Sequence, residues 1–157
     1  MAGTEDHRRK YLVIIDDTPE CSRAVAYAAY RAQRVGGAIV FLALIDTADF
    51  QQFLGVEEVM RAEALEQAER LIDTYLAKVR AIDATTAVET LIREGRGTAP
   101  IEQLIAEDRD IAILVLAASA AGEGPLIAAF GHGGSGLHIP VTIIPGAMTD
   151  EEIQAVS

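Results

Sequence analysis

The sequence predicts a single α/β domain with a doubly wound, five-stranded, mostly parallel sheet of strand order 3-2-1-4-5 and helices on both faces. Three observations carry this prediction. Short apolar runs alternate with stretches whose apolar residues recur with a helical period. Glycine, proline and acidic residues separate these stretches, so each strand is followed by a turn and a helix. The length of 157 residues is typical of one domain.

The first half of the chain contains two strands and two helices. Both strands are runs of aliphatic residues, as expected for strands buried on both faces. Thr18 and Asp17 are candidates to cap the first helix, Pro19 fits its first turn, and Gly36 ends it. The second helix keeps a helical apolar period throughout. The predicted ranges are 10–15 for strand one, 19–35 for helix one, 38–45 for strand two and 56–81 for helix two.

The second half supplies three more strands, two helices and a C-terminal turn. Strand three alternates polar and apolar residues and carries Glu89, which indicates an outer strand. Thr98 is the expected cap of helix three, and a short helix four begins near Pro125. Thr149, followed by acidic residues, predicts one final helical turn. The predicted ranges are 87–92 for strand three, 99–107 for helix three, 111–116 for strand four and 141–144 for strand five.

Domain organisation follows from these elements. Residues 1–9 are polar and predict a flexible tail, residues 10–146 form the domain, and residues 147–157 form a C-terminal extension with the short helical turn. The sequence shows no internal repeat and no linker.

Composition limits the partners and the cellular setting. The formal net charge is −11 and the isoelectric point is about 4.6, which argues against nucleic acid and against anionic membrane surfaces. No stretch approaches the roughly 20 apolar residues of a membrane helix. Cys21 is the only cysteine and cannot form an internal disulfide, so we expect a cytoplasmic protein. We expect Cys21 to be a small packed residue, because no base lies beside it in the sequence.

The topology predicts where a ligand would lie. In doubly wound sheets, ligands bind beyond the carboxyl ends of the strands where the winding direction reverses. With the predicted strand order, that point is beside strand one. Asp16 and the segment 117–124 after strand four would then face one crevice.

Other motifs in the chain are incomplete. The pair Asp16-Asp17 resembles the opening of a phospho-receiver domain, in which two acids hold a metal. However, strand three ends in Ile92-Arg93-Glu94 without the phospho-accepting aspartate, and no lysine follows strand four or five. The segment 131–136, GHGGSG, matches G-x-G-x-x-G but leads into a strand, whereas the dinucleotide motif opens a helix. No catalytic triad and no metal-ligand spacing is present, so we predict no catalytic residues and no metal.

Three strand ends of the predicted sheet carry a recognisable set of acidic, aliphatic and glycine residues. Strand one ends in Asp16 and a short turn to Thr18, strand two ends in Leu44-Ile45-Asp46, and strand three leads to a turn with Gly95. Taken in order, these segments resemble the universal stress protein family. The resemblance covers about residues 10–145 and implies a role in stress response or regulation. The segments on which the resemblance rests are LVIIDDTPECSRAVAYAAYRAQRVGGAIVFLALID, VETLIREGRGTAPIEQLIAED, ILVLAAS and IPVTIIPG.

Members of that family that bind ATP carry G-x-x-G-x9-G-[ST] after strand four. Glycine amides and the hydroxyl then surround the phosphates. Aligned on strand four, this chain has Ala117 and Ala120 in place of the first two glycines. Aligned on the downstream 134–135 Gly-Ser pair, it has Ala121 in place of the first glycine and keeps Gly124. Both alignments stay open at this point.

These departures imply weakened ATP binding. Glu123 brings a negative charge, and no lysine or arginine lies between residues 117 and 145. Two classes stay open: an adenine-nucleotide-binding regulator and a dimeric protein-interaction module without nucleotide. No general base is evident, so we expect at most slow ATP hydrolysis. The implied nucleotide-binding residues are Asp16 and Leu44 at the adenosine, and Ala117, Gly122, Gly124, Gly134 and Ser135 around the phosphates.

Strand five is the predicted dimer edge. It is short and apolar and lies between two prolines at the edge of the sheet, and an exposed apolar edge strand invites pairing. The resemblance implies a homodimer formed by antiparallel pairing of this strand. The alternative is that the C-terminal tail covers it. Its residues are Val141, Thr142, Ile143 and Ile144.

Overall fold

A computed structural model gives the architecture of the chain and describes residues 8–53, 55–120, 124–131 and 137–157. Strands and helices alternate, as the sequence predicts. The strands are β1 (Lys10–Ile15), β2 (Ala38–Ile45), β3 (Val88–Glu94), β4 (Ile111–Ala117) and β5 (Val141–Ile144). The helices are α1 (Cys21–Val35), α2 (Glu57–Ile82), α3 (Ala99–Glu107), α4 (Pro125–Gly131) and α5 (Asp150–Val156), with a 3₁₀ turn at Phe50–Gln52.

The five strands form one sheet of order β3-β2-β1-β4-β5, which confirms the predicted order. Every neighbouring pair of described strands is parallel. β1 lies at the centre, where Val13 is in register with Phe41 of β2 and Val115 of β4. Because the strands are parallel, their carboxyl ends share one edge of the sheet, and that edge carries the candidate site.

Two apolar layers cover the faces of the sheet. Alternate residues of β1 point to opposite faces: Val13 packs in a cluster with α1, α2 and α5, whereas Leu12 packs in a cluster with α3 and α4. Both side chains are fully buried. The apolar runs of β1 after Lys10 and of β2 are explained by this burial on both faces.

The start of helix one differs from the sequence-based expectation. α1 begins at Cys21 with Glu20 at the N-cap position, and no side chain caps it. Thr18 is instead held by Asp16, whose Oδ1 accepts hydrogen bonds from the Thr18 N–H (3.0 Å) and hydroxyl. The prediction that Thr18 and Asp17 cap the helix is therefore wrong, because a local turn stabilised by Asp16 engages Thr18 first.

The C-terminal segment forms a longer helix than the single turn predicted. Thr149 and Glu152 form a reciprocal capping box, and α5 continues to Val156. Ile153 is fully buried in the core beside α1. Most of the predicted N-terminal tail, residues 1–7, lies outside the described residues. Within the part of the chain that the structure describes, no helix has the length and apolar character needed to cross a membrane.

Candidate functional site

Two cavities open at the carboxyl end of β1, and Asp16 and Asp17 line both. The larger, of about 300 Å³, lies between the ends of β1 and β4. The smaller, of about 210 Å³, lies between the ends of β1 and β2. The sequence predicts one crevice here, and the structure divides that crevice into two chambers at the Asp16-Asp17 turn. We call them the β4 chamber and the β2 chamber.

The β4 chamber has an apolar floor and an acidic rim. Its floor is the end of strand β4, residues 115–117, and one wall is the start of α4, residues 125–127. The opposite wall is the N-terminal end of α1, with Glu20, Cys21 and Ala24. Both walls come from elements that directly follow β1 and β4, so the parallel topology alone brings them together.

The β2 chamber is enclosed by α2. Leu44 and Asp46 line it from the end of β2, and Gln67 and Leu71 line it from the long helix. Its polar groups are carboxylates and one side-chain amide. Asp16 is shared with the β4 chamber and separates the two.

The Asp16 carboxylate is held in a fixed orientation. Its Oδ1 accepts two hydrogen bonds from Thr18, while Oδ2 makes none within the described ranges. The side chain is half-buried, whereas Asp17 is exposed. One oxygen of Asp16 therefore anchors the turn, and the other can accept a hydrogen bond from a ligand.

The electrostatic character of the site is acidic throughout. The charged side chains that line the two chambers are Asp16, Asp17, Glu20 and Asp46, and no lysine or arginine is among the described lining residues. The loop after β4 cannot supply one, because the sequence between residues 117 and 145 contains neither. The N-terminal end of α1 attracts anions, but Glu20 occupies its N-cap position.

A buried thiol lies in the α1 wall of the β4 chamber. Cys21 is 4% exposed, and its Sγ–H donates to the Ile14 carbonyl at 3.6 Å. Burial raises the pKa of Cys21 to about 11. Burial and the neighbouring thiol raise the pKa of Tyr75 to about 12. The burial of the side chain confirms the expectation that Cys21 is a small packed residue.

The predicted nucleotide residues fall into three groups. Asp16 and Leu44 share the β2 chamber, and Asp16, Ala117 and Gly124 share the β4 chamber. A Cβ added at Gly124 would meet open space. Gly122, Gly134 and Ser135 lie outside the described residues.

Sequence analysis missed several lining positions of these chambers. Among them are Glu20, Gln67, Leu126 and Ile127. Glu20 was within reach of sequence reasoning, because it directly precedes the first helix after β1. Gln67 was not, because its position depends on how α2 lies on the sheet.

A third cavity, of about 290 Å³, lies at the opposite end of the sheet. It is formed by α3 and residues 137–139, with Arg109 and His138 among its lining side chains. Across the described ranges, no three histidine, cysteine, aspartate or glutamate side chains converge as a metal site would require.

β5 occupies one edge of the sheet. Its only strand neighbour among the described strands is β4, and Ile143 is 44% exposed. Hydrogen bonds join the Pro140 and Ile144 carbonyls to the amides of Leu114 and Ala118 in the β4 segment. Since alternate residues of a strand face opposite neighbours, the backbone groups of residues 141 and 143 face away from β4.

Comparison with known proteins identifies a family. The sequence model of the universal stress protein family matches residues 7–128. The chain resembles the solved structure of universal stress protein UspA from Lactobacillus plantarum, with a TM-score of 0.70 and 20% identity over 87% of this chain and 97% of that one. No curated protein sequence matches significantly.

Two further solved structures that this chain resembles are described as nucleotide complexes. One is a universal stress protein in complex with cAMP, with a TM-score of 0.56 and 16% identity over 89% of this chain and 98% of that one. The other is the universal stress protein from Archaeoglobus fulgidus in complex with dAMP, with a TM-score of 0.55 and 15% identity over 87% and 97% of the two chains. At these identities the likeness is one of fold.

Proposed function

The chain belongs to the universal stress protein family, and we propose that it is a cytoplasmic stress-response regulator that binds adenine nucleotides in the crevice around Asp16. One observation carries the proposal. Asp16 lies between two chambers at the carboxyl ends of β1, β2 and β4, where a doubly wound sheet binds its ligands. Two structural relatives, described as complexes with cAMP and dAMP, support the same ligand class.

The chamber linings suit the adenosine part of such a ligand. Apolar walls from Leu44 and the α4 segment can contact a base, and the free oxygen of Asp16 can accept a hydrogen bond from a hydroxyl. ATP is a weaker candidate ligand, because the described lining offers carboxylates and no cation to its phosphates. We propose binding rather than catalysis, since no group in the described crevice stands out as an activated base.

Isothermal titration with ATP, with and without Mg²⁺, tests the proposal. We expect saturable heat with a dissociation constant in the micromolar to low millimolar range. Gly124→Val should abolish it, because the new side chain would project from a lining position that has open space. Asp16→Ala should abolish it by removing the acceptor. Absence of heat with ATP, AMP and adenosine at millimolar concentrations would contradict the proposal.

Matched controls separate a lost site from a lost fold. Gly131→Val places the same side chain at the end of α4, where a Cβ also meets open space, outside both chambers. Asp73→Ala removes a carboxylate from the exposed face of α2. Both controls should bind ATP like the wild-type protein.

A second candidate function is a homodimeric interaction module that works without nucleotide. The exposed Ile143 on the edge strand β5 favours it. We propose dimerisation through β5 in either case. A protein that dimerises but gives no heat with ATP, AMP or adenosine would fit this second candidate only.

A further inference from the structure

We infer that the crevice selects the uncharged adenine nucleoside over its phosphorylated forms, and that Asp17 and Glu20 set this selectivity. The inference rests on the proposed function and specifies the ligand class of the same site. Adenosine should bind most tightly, AMP less tightly and metal-free ATP least tightly.

The charges on the lining carry the argument. Asp16 and Asp17 line both chambers, and Glu20 adds a third carboxylate at the rim of the β4 chamber. Anionic phosphates placed in either chamber would lie close to at least two carboxylates, and such pairs repel. The described lining offers no lysine or arginine to offset them.

The N-terminal end of α1, which could otherwise attract a phosphate, also carries a negative charge. A helix N-terminus beside a crevice normally favours an anion. At α1, the Glu20 carboxylate belongs to the N-cap residue, so a negative group already accompanies that helix end.

An adenosine molecule avoids the repulsion between phosphate groups and the lining carboxylates. It carries no charge, and its hydroxyls can donate to a carboxylate such as Asp16. The apolar walls of both chambers remain available to its base. The same lining therefore accommodates a nucleoside and repels its phosphate groups.

Calorimetric titration of the full chain with adenosine, AMP and ATP in EDTA tests the inference. In about 20 mM NaCl we expect ATP to bind about tenfold more weakly than adenosine. Raising the salt to about 300 mM should narrow the gap, because screening weakens repulsion, while adenosine binding stays constant. Wild-type protein suffices for this experiment.

A charge variant then assigns the residues. Asp17→Asn combined with Glu20→Gln should tighten ATP binding about five- to tenfold more than it tightens adenosine binding, because only the phosphates are relieved of charge repulsion. The control, Glu69→Gln with Asp73→Asn, makes the same change in net charge on the exposed face of α2 and should leave both ligands unchanged.

The possible results separate this inference from the proposed function. ATP binding as tight as adenosine binding in the wild-type protein overturns the inference and leaves the proposed function standing. Equal gains for ATP and adenosine in the Asp17 and Glu20 variant overturn the assignment of those residues. No binding of any of the three ligands overturns the proposed function and the inference with it.

Discussion

Gly146 allows the chain after β5 to pass directly against the backbone that follows β4. A Cβ at this position would lie 2.5 Å from the Ala118 carbonyl oxygen and from the carbonyl group of Ser119. Backbone atoms cannot yield as the end of a flexible side chain can, so no side chain fits without a shift. The residues that Gly146 touches directly follow Ala117, which lines the β4 chamber.

We predict that Gly146→Ala lowers the free energy of unfolding by about 1–3 kcal/mol, the usual cost of overpacking. Urea denaturation would measure it. Gly131→Ala is the control, since a Cβ there meets open space and a helical alanine is well tolerated. Equal stability of the two variants would show that the segment after β4 can move away at no cost.

The buried thiol predicts a loss of stability at alkaline pH. Burial raises the pKa of Cys21 from 9.0 to about 11 in the folded state. The neutral thiol is therefore favoured by folding below pH 9, and that contribution is lost as pH rises from 9 to 11. A shift of this size corresponds to at most about 3 kcal/mol.

Urea unfolding of wild-type and Cys21→Ser protein between pH 8 and pH 11 would measure this loss. Serine keeps a donor for the Ile14 carbonyl but does not titrate in this range. The variant should therefore lose less stability between pH 9 and pH 11 than the wild-type protein does. Tyr75, whose pKa is raised to about 12, remains in both proteins. Parallel curves would contradict the assignment to Cys21.

At the scale of elements, hydrogen bonds and apolar contacts hold α5 against α1. The Arg34 guanidinium donates to the Gln154 carbonyl at 2.8 Å, and Arg23 Nε donates to the Met148 carbonyl at 3.2 Å. Lys78 of α2 lies 3.3 Å from the Asp150 carboxylate. These polar contacts surround Ile153, which is fully buried. The C-terminal helix therefore completes the apolar layer on this face of the sheet.

We predict that Ile153→Ala lowers the free energy of unfolding by about 2–4 kcal/mol, because it leaves a cavity in the core. Val156→Ala is the matched control: Val156 is on the same helix but is 64% exposed, so its truncation should cost less than about 0.5 kcal/mol. Urea denaturation of both variants provides the measurement. Similar small losses would mean that α5 does not stay packed on α1 in solution.

At the scale of the whole molecule, the fold was largely predictable and the shape of the site was not. β2 and the part of β1 after Lys10 are buried on both faces, so the pattern there is an apolar run without a charged residue. The start of α1 was misjudged because Asp16 competes for Thr18 through a local turn. The residues that line the β2 chamber opposite β2, such as Gln67, depend on how α2 lies on the sheet, and no local pattern encodes that placement.

Net charge also bears on how two molecules would meet. Each chain carries a formal charge of −11, so two chains repel at long range in dilute salt. Short-range pairing of β5 edges through Ile143 must overcome that repulsion. The α5 helix packs on α1 and leaves Ile143 exposed, which argues against the alternative that the tail covers this residue.

We predict a dimer of twice the 16.7 kDa chain mass whose association strengthens between about 20 mM and about 300 mM NaCl. Sedimentation velocity at several protein concentrations would measure this association.

Ile143→Lys should yield monomers, because a charge on the edge strand opposes pairing. Val156→Lys adds the same charge at a more exposed site on α5 and should remain dimeric. If Val156→Lys dissociates as Ile143→Lys does, the interface includes α5. If the wild-type protein is monomeric at every salt concentration, β5 does not pair, and the apolar edge is tolerated because its four residues, closed by Pro140 and Pro145, are too short to recruit a second chain.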